Sequence, residues 1–325
     1  MRAVVVKEPG GPEALTVVDL PDPVAGPGEV VIDVVAAGVN RADVLQRQGH
    51  YPPPPGASDV LGLECSGLIA SVGADVTRWK VGDPVVALLA GGGYAEKVAV
   101  PQEQVAPLPE GMDQVAAGGL MEVAATVWSN VFMTADLQPG ERLLVHGGAS
   151  GIGTMAIQMG KAFGAWVAVT AGSEAKLEAC RELGADVAMN YREIDFVEGL
   201  RAATEGHGAD VILDNMGAAY LPRNVAALAH DGRLVVIGLQ GGVKGELNLG
   251  ALLAKRGSVA AISLRGRPAV QKGEIVSDLA ASTWSMFADQ TLNPVIHATF
   301  PLEDVAEAHR VLDASSNVGK VVLTL

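Results

Sequence analysis

The stretch Leu143-Leu144-Val145-His146-Gly147-Gly148-Ala149-Ser150-Gly151-Ile152-Gly153 limits the possible folds more than any other part of the chain. Arg142–Gly147 reads as a short buried strand, the glycine cluster as a tight turn, and Gly153–Phe163 as a helix. Glycines there let the backbone approach a pyrophosphate closely, while the helix start offers unpaired N–H groups and the positive end of its dipole. A lone glycine trio would carry little. Here a second strand, Trp166–Thr170, follows the helix, and the whole unit points to nucleotide binding rather than to a purely structural turn.

Strands and helices keep alternating beyond it. Val187–Met189, Val211–Asp214 and Leu234–Ile237 read as strands, and Glu174–Leu183, Asp195–Thr204 and Tyr220–Leu228 as helices. That order predicts an α/β, doubly wound parallel sheet, with an apolar strand at Ser258–Leu264 at its edge. The first third is different. Valine-rich runs at Ala3–Val6, Val30–Val35, Leu68–Val72, Pro84–Leu89 and Tyr94–Val100, separated by Gly and Pro, predict a β-rich, barrel-like domain. Pro52–Pro55 forms a stiff elbow. Apolar residues recur at helical spacing from Gln114 to Ala135. The tail predicts helices at Val276–Thr291 and Leu302–Ala314 and a last strand at Lys320–Leu325. The expected division is 1–117 plus 266–325 for one domain, interrupted by a nucleotide-binding domain at 118–265.

Composition removes several functions. The net charge of −14 and an aromatic content of 4% oppose a nucleic-acid binder built on basic patches and stacking. Two cysteines, Cys65 and Cys180, are too few for a cysteine-rich zinc lobe or a disulfide framework, and they suit a reducing, cytoplasmic setting. The opening apolar run is too short for a signal peptide, and Leu143 to Gly160 is too broken for a membrane span. The six histidines show no ligand spacing. Cys65 reads as a small buried hydrophobe and Glu64 as a buried, hydrogen-bonded carboxylate.

Cofactor choice follows from charge. The strand after the glycine turn ends not in an acidic residue but in Ala171-Gly172-Ser173, with Lys176 one turn on. A hydroxyl and an ammonium suit a 2′-phosphate, so NADPH is expected over NADH. Glu174 argues the other way. The plain alternatives are a helix N-cap for Ser173 and a solvated face for Lys176.

The turn also fits short-chain dehydrogenases, but none of the four tyrosines is followed by lysine four residues later, so that family is excluded. The order of a β-rich domain, an inserted nucleotide domain and a returning C-terminus resembles the medium-chain dehydrogenase/reductase superfamily over essentially the whole chain. It implies a GroES-like domain beside a Rossmann domain. Zinc members carry a cysteine where this chain has Asn40, and a Gly-His-Glu motif that here reads Gly62-Leu63-Glu64. With Asn40 and Leu63 at those places, no metal is expected. Asn40-Arg41-Ala42-Asp43, Tyr51, Glu122, Thr126, Asn190-Tyr191-Arg192 and Val318-Gly319-Lys320-Val321-Val322 resemble the zinc-free quinone oxidoreductases.

That resemblance implies site residues. Asn40 would lie against the nicotinamide ribose or substrate, with Asp43 bracing its loop. Tyr51 would line the substrate mouth and Thr126 the nicotinamide side of the cofactor. Gly148, Ala149, Ser150, Gly151, Ile152 and Gly153 would hold the pyrophosphate. Ser173, Lys176 and Tyr191 would hold the 2′-phosphate. Gly238, Leu239 and Gln240 would offer backbone contacts, and Ser263, Leu264, Arg265 and Asn317 would line the cofactor. The bland readings are a turn cap for Asn40 and Asp43, loop packing for Tyr51 and an ordinary helix position for Thr126.

Hydride addition to a ketone normally needs an acid or metal to stabilise the alkoxide. A quinone does not, because the product is an aromatic hydroquinone anion that water can protonate. A zinc-free site with few general acids therefore favours quinone reduction. The alternatives are reduction of an activated alkene, with Tyr51 as proton donor, and a cofactor-binding stress or structural protein. The apolar Ser258–Leu264 edge predicts a homodimer.

Overall fold

The computed structural model describes all 325 residues, Met1–Leu325. Strands β1 (Arg2–Val6), β2 (Leu15–Asp19) and β3 (Glu29–Val39) open the chain and lead into a short helix, α1 (Arg41–Arg47). Strands β4 (Glu64–Val72), β5 (Pro84–Leu88), β6 (Lys97–Pro101) and β7 (Val105–Pro107) follow, then helices α2 (Gln114–Ala117) and α3 (Met121–Val127). Next come β8 (Arg142–His146), α4 (Gly151–Ala162), β9 (Trp166–Ala171), α5 (Glu174–Glu182) and β10 (Val187–Asn190). The alternation continues with α6 (Phe196–Ala203), β11 (Ala209–Asp214), α7 (Leu221–Ala227), β12 (Leu228–Val236), α8 (Leu249–Ala254) and β13 (Ser258–Ala261). The chain ends in α9 (Ala269–Ala288), β14 (Ile296–Pro301), α10 (Val305–Asp313) and β15 (Lys320–Thr324).

Two compact units result, Met1–Ala125 with Leu264–Leu325, and Thr126–Ser263. In the first, β1 and β2 form a hairpin-like pair, and a seven-stranded sheet runs β14-β15-β3-β4-β5-β7, with β6 paired to β3. The C-terminal strand β15 lies antiparallel to β3, Val321 opposite Val39, so the end of the sequence completes the sheet that its beginning starts. Alternating burial along β6 and the buried run Val30–Ile32 place one apolar face inward, against Tyr94, Leu302 and Val305.

The second unit is a six-stranded sheet in the order β10-β9-β8-β11-β12-β13, all pairs parallel. Strand β11 is buried at every position, as a parallel strand covered on both faces must be. This is the doubly wound sheet the alternation predicts.

Three expectations need correction. Gln114–Ala135 is not one helix: it breaks at Gly118-Gly119 and ends in a π-helical stretch, Trp128–Thr134. A Cβ on Gly118 would sit 2.6 Å from Ala36 Cβ, so contact with β3, not helix propensity, sets this backbone. In the π stretch the N–H of Ala135 reaches back five residues to Asn130 O at 3.0 Å, while Trp128 stacks on Phe132 and both pack against a tilted Phe163 ring, with centroids 4.9–5.4 Å apart. The edge strand is shorter than expected, Ser258–Ala261, and α9 begins seven residues earlier than expected, at Ala269. No helix is long and apolar enough to cross a membrane.

Candidate active site

In the second unit, the turn after β8 is built by glycines whose hydrogens cannot be replaced. A Cβ on Gly153 would lie 2.3 Å from Gly147 O, and one on Gly148 would lie 2.6 Å from Val169 Cβ. Gly147 has φ +72°, the left-handed region in which only glycine is unstrained. Ser150 caps α4, its Oγ accepting from Gly153 N–H at 3.0 Å. The N–H groups of Gly151 and Ile152 have no acceptor within the helix and lie at its positive end. Nearby, Asn215 Oδ1 is a buried acceptor without a donor, on a side chain whose amide nitrogen touches Gly147. Such a cradle with an orphaned acceptor fits a dinucleotide with ribose hydroxyls to donate. Gly238 also approaches Asn215 closely, and Gln240 N–H already bonds Asn215 O at 3.2 Å. Of the Gly238–Gln240 trio, Gly238 and Leu239 therefore keep backbone N–H groups for a ligand.

The end of β9 gathers the expected phosphate-binding residues and one more. Ser173 sits at the N-cap position of α5, and its hydroxyl makes no cap hydrogen bond. Tyr191 hydroxyl lies against Gly172, and the Arg192 guanidinium stands 5.8 Å from the Tyr191 ring. Burial, then Arg192, lower the pKa of Lys176, which places the two cations in one neighbourhood. Glu174, the residue that argues for NADH, instead pairs with Arg181 at 2.7 Å. Sequence spacing alone gives Arg192 no role, although it follows Asn190-Tyr191 directly.

In the first unit, Asn40, at one of the two positions where zinc relatives carry ligands, belongs to a closed triangle with Glu64 and Lys320, beside Leu63 at the other. Lys320 Nζ lies 2.7 Å from Glu64 Oε1 and donates to Asn40 Oδ1 at 2.6 Å, while Asn40 Nδ2 donates to Glu64 Oε1 at 3.0 Å. Lys320 also donates to Val39 O at 3.1 Å, and Glu64 Oε2 accepts from Glu122 N–H at 2.9 Å. Glu64 is fully buried and Lys320 is 4% exposed, so the pair is desolvated and each charge needs the other. The chain has no group of three or more His, Cys, Asp or Glu side chains that could hold a metal. Sequence spacing could not show Lys320 here. It is distant from Glu64 in sequence and reaches it only because β15 pairs with β3.

Asp43 braces this loop from beneath. Its carboxylate accepts from Asn40 N–H at 2.8 Å, Gly62 N–H at 3.0 Å and Tyr94 hydroxyl at 3.1 Å. Burial dominates and raises its pKa to about 6. Behind it His309 stands between Arg47 (Nδ1, 3.3 Å) and Tyr94 (Nε2, 3.3 Å). Arg47 can only donate, so Nδ1 accepts and Nε2–H faces the Tyr94 oxygen. Burial, then Arg47, hold the His309 pKa down to about 3. Asp43 is thus fully buried, and its place is that of a positioning residue rather than a substrate contact.

Tyr51 follows α1, with the Arg265 guanidinium 5.2 Å from its ring. Arg265 donates to Ala90 O (2.8 Å), Tyr51 O (3.3 Å) and Gln46 Oε1 (2.7 Å), so it belongs with the Tyr51 loop and not with the nucleotide turn. Asn317 turns its amide to Gly319 O at 2.7 Å. Thr126 is 6% exposed, and its carbonyl accepts from Asn130 Nδ2 at 2.8 Å.

Comparison with known proteins agrees with this anatomy. Residues 26–110 match the alcohol dehydrogenase GroES-like domain family and residues 151–280 the family described as zinc-binding dehydrogenase. Human quinone oxidoreductase is 31% identical over 328 residues, covering 100% of this chain and 98% of that protein. A solved Escherichia coli quinone oxidoreductase in complex with NADPH superposes with a TM-score of 0.91 at 29% identity, covering both chains completely. A structure described as an NAD-dependent alcohol dehydrogenase gives 0.87 at 33%, also covering both chains completely. The chain also matches a phenolphthiocerol/phthiocerol polyketide synthase of Mycobacterium tuberculosis at 31% identity, over 98% of this chain but only 14% of that protein's length.

Proposed function

The chain belongs to the medium-chain dehydrogenase/reductase family, among its quinone oxidoreductases, and from that premise we propose that it transfers hydride from NADPH to a quinone without a metal. The observation that carries this reading is the Lys320–Glu64–Asn40 triangle. An ammonium, held by a carboxylate and an amide, fills the place where zinc relatives bring their ligands together. Nothing in that triangle can polarise a substrate oxygen as a Lewis acid does. A quinone needs no such help, since its reduced form is an aromatic anion.

The cofactor supplies the hydride; the chain binds and orients. Gly148–Gly153 and the start of α4 suit the pyrophosphate, and Ser173, Lys176, Tyr191 and Arg192 suit a 2′-phosphate. Both N–H groups of the Asn40 amide are engaged within the chain, one with Glu64 and one with Gly38 O at 3.3 Å. Its Oδ1 keeps one lone pair beside Lys320, which suits a hydroxyl such as that of the nicotinamide ribose. Asp43 keeps the Asn40 backbone in register. On this reading the Thr126–Ser263 unit holds the cofactor and the remainder holds the acceptor. Both cysteines are buried and unpaired, which suits a reducing cytoplasm. We further propose a homodimer formed along β13, one of the two edge strands of the parallel sheet.

Steady-state oxidation of NADPH by 1,4-naphthoquinone and by an α,β-unsaturated ketone tests the assignment. Turnover of the quinone well above that of the enone supports it. Turnover of the enone alone moves the enzyme to alkene reduction, and binding of NADPH without either turnover would make it a cofactor-binding protein.

A further inference from the structure

The first unit buries two cations that make no direct ion pair. Lys272, in the first turn of α9, is 2% exposed, and its ammonium makes no hydrogen bond or ion pair with the chain. Arg265 is 6% exposed, and its three partners, two carbonyls and the Gln46 amide, are all neutral. The two groups repel: burial first and Arg265 second bring the Lys272 pKa down to about 8. Asp43 attracts Arg265 without a direct ion pair, and its carboxylate accepts from the neutral Asn40, Gly62 and Tyr94. The beginning of α9, behind Pro268, has no side-chain cap, so the helix dipole adds further positive potential.

A buried cation is tolerated when something neutralises it, and lysine and arginine are rarely buried without a partner. Here the partner is missing from the chain while donors remain. Arg265 has five N–H groups, of which three are engaged, and Lys272 has three, none engaged. We propose that Lys272 and Arg265 form an anion-binding subsite next to Tyr51, which selects acceptors bearing a carboxylate or sulfonate on the aromatic ring. The guanidinium offers a planar fork for two oxygens and the ammonium a point charge. The nature of the ring rests on the quinone reading above; the binding of the anion does not.

Benzoate and its neutral counterpart benzamide separate the two claims. On the full chain, benzoate is expected to raise Tm and benzamide to leave it unchanged, and Lys272→Met is expected to abolish the benzoate effect. Without ligand, Lys272→Met itself should melt no lower than the parent, because it removes an unpaired buried charge. Turnover supplies the second readout. The ratio of kcat/KM for 1,4-naphthoquinone-2-sulfonate to that for 1,4-naphthoquinone should fall at least about tenfold in Lys272→Met, and Lys272→Arg should restore most of it. Equal shifts by benzoate and benzamide, an unchanged ratio, or a ligand-free Lys272→Met that melts well below the parent would each overturn the subsite. A benzoate shift that depends on Lys272, in a protein that reduces no quinone, upholds the subsite and removes the quinone.

Discussion

Lys176 and Arg192 bring two positive charges near each other beyond the end of β9, which on the reading proposed above suits a 2′-phosphate. On that reading Lys176→Ala removes one charged partner of the phosphate, and a charge-assisted hydrogen bond is worth about 1.5–3 kcal/mol. NADPH should therefore bind about 10–100-fold more weakly to that variant while NADH affinity barely changes, as titration calorimetry would report. Equal effects on both cofactors would make Lys176 an ordinary surface lysine. Tyr51 tests the acceptor. If its ring only shapes the mouth beneath Arg265, Tyr51→Phe lowers quinone turnover by less than about tenfold, short of the 10²–10⁴-fold of general-acid loss. A larger fall at unchanged NADPH affinity would assign the hydroxyl a proton-donor role and favour alkene chemistry.

At the scale of elements, the C-terminal strand β15 brings Lys320 to Glu64 across the pairing with β3. Lys320→Met leaves the buried Glu64 carboxylate without its cation and should cost about 3–5 kcal/mol of unfolding free energy. Adding Glu64→Gln should recover a large part, since the unpaired charge is then gone. A single variant as stable as the parent in urea unfolding would show that the pair is not desolvated as described. Edge strand β13 carries the expectation of a dimer, and light scattering at micromolar concentration checks it: a monomer refutes that pairing. The βαβ elements are legible in the sequence because their signal is local, a strand, a glycine turn and a helix in succession. The break at Gly118-Gly119 is not, because it answers to Ala36 on a distant strand. The same holds for the site: Asn40 and Leu63 announce the missing ligands, but the lysine, tyrosine and histidine around them come from three other parts of the chain.

Across the whole molecule, buried titratable groups set the response to acid. His146 and His309 are buried and neutral, with pKa values lowered to about 4 and about 3, against about 6.5 in the unfolded chain. As pH falls below about 6.5 the unfolded state takes up two protons that the folded state refuses, and stability declines. Asp43 acts in the opposite sense, since its folded pKa of about 6 exceeds the unfolded value near 3.9 and folding takes up one proton near pH 5. Burial raises the pKa of Asp214 in the same sense as that of Asp43. Urea unfolding should therefore lose less than about 2.7 kcal/mol per pH unit, the limit for two protons, between pH 6 and pH 4, and His309→Gln should make the slope shallower by about 1.4 kcal/mol per pH unit. A His309→Gln variant with the same pH dependence as the parent would contradict the buried, neutral His309.

Metal-free hydride transfer from NADPH to a quinone is tested most directly by following NADPH oxidation with 1,4-naphthoquinone, with and without a strong chelator, on protein analysed for zinc. The expected result is no stoichiometric zinc, a rate with NADPH well above that with NADH, and no change on chelation. Stoichiometric zinc whose removal abolishes turnover would contradict the account at its centre.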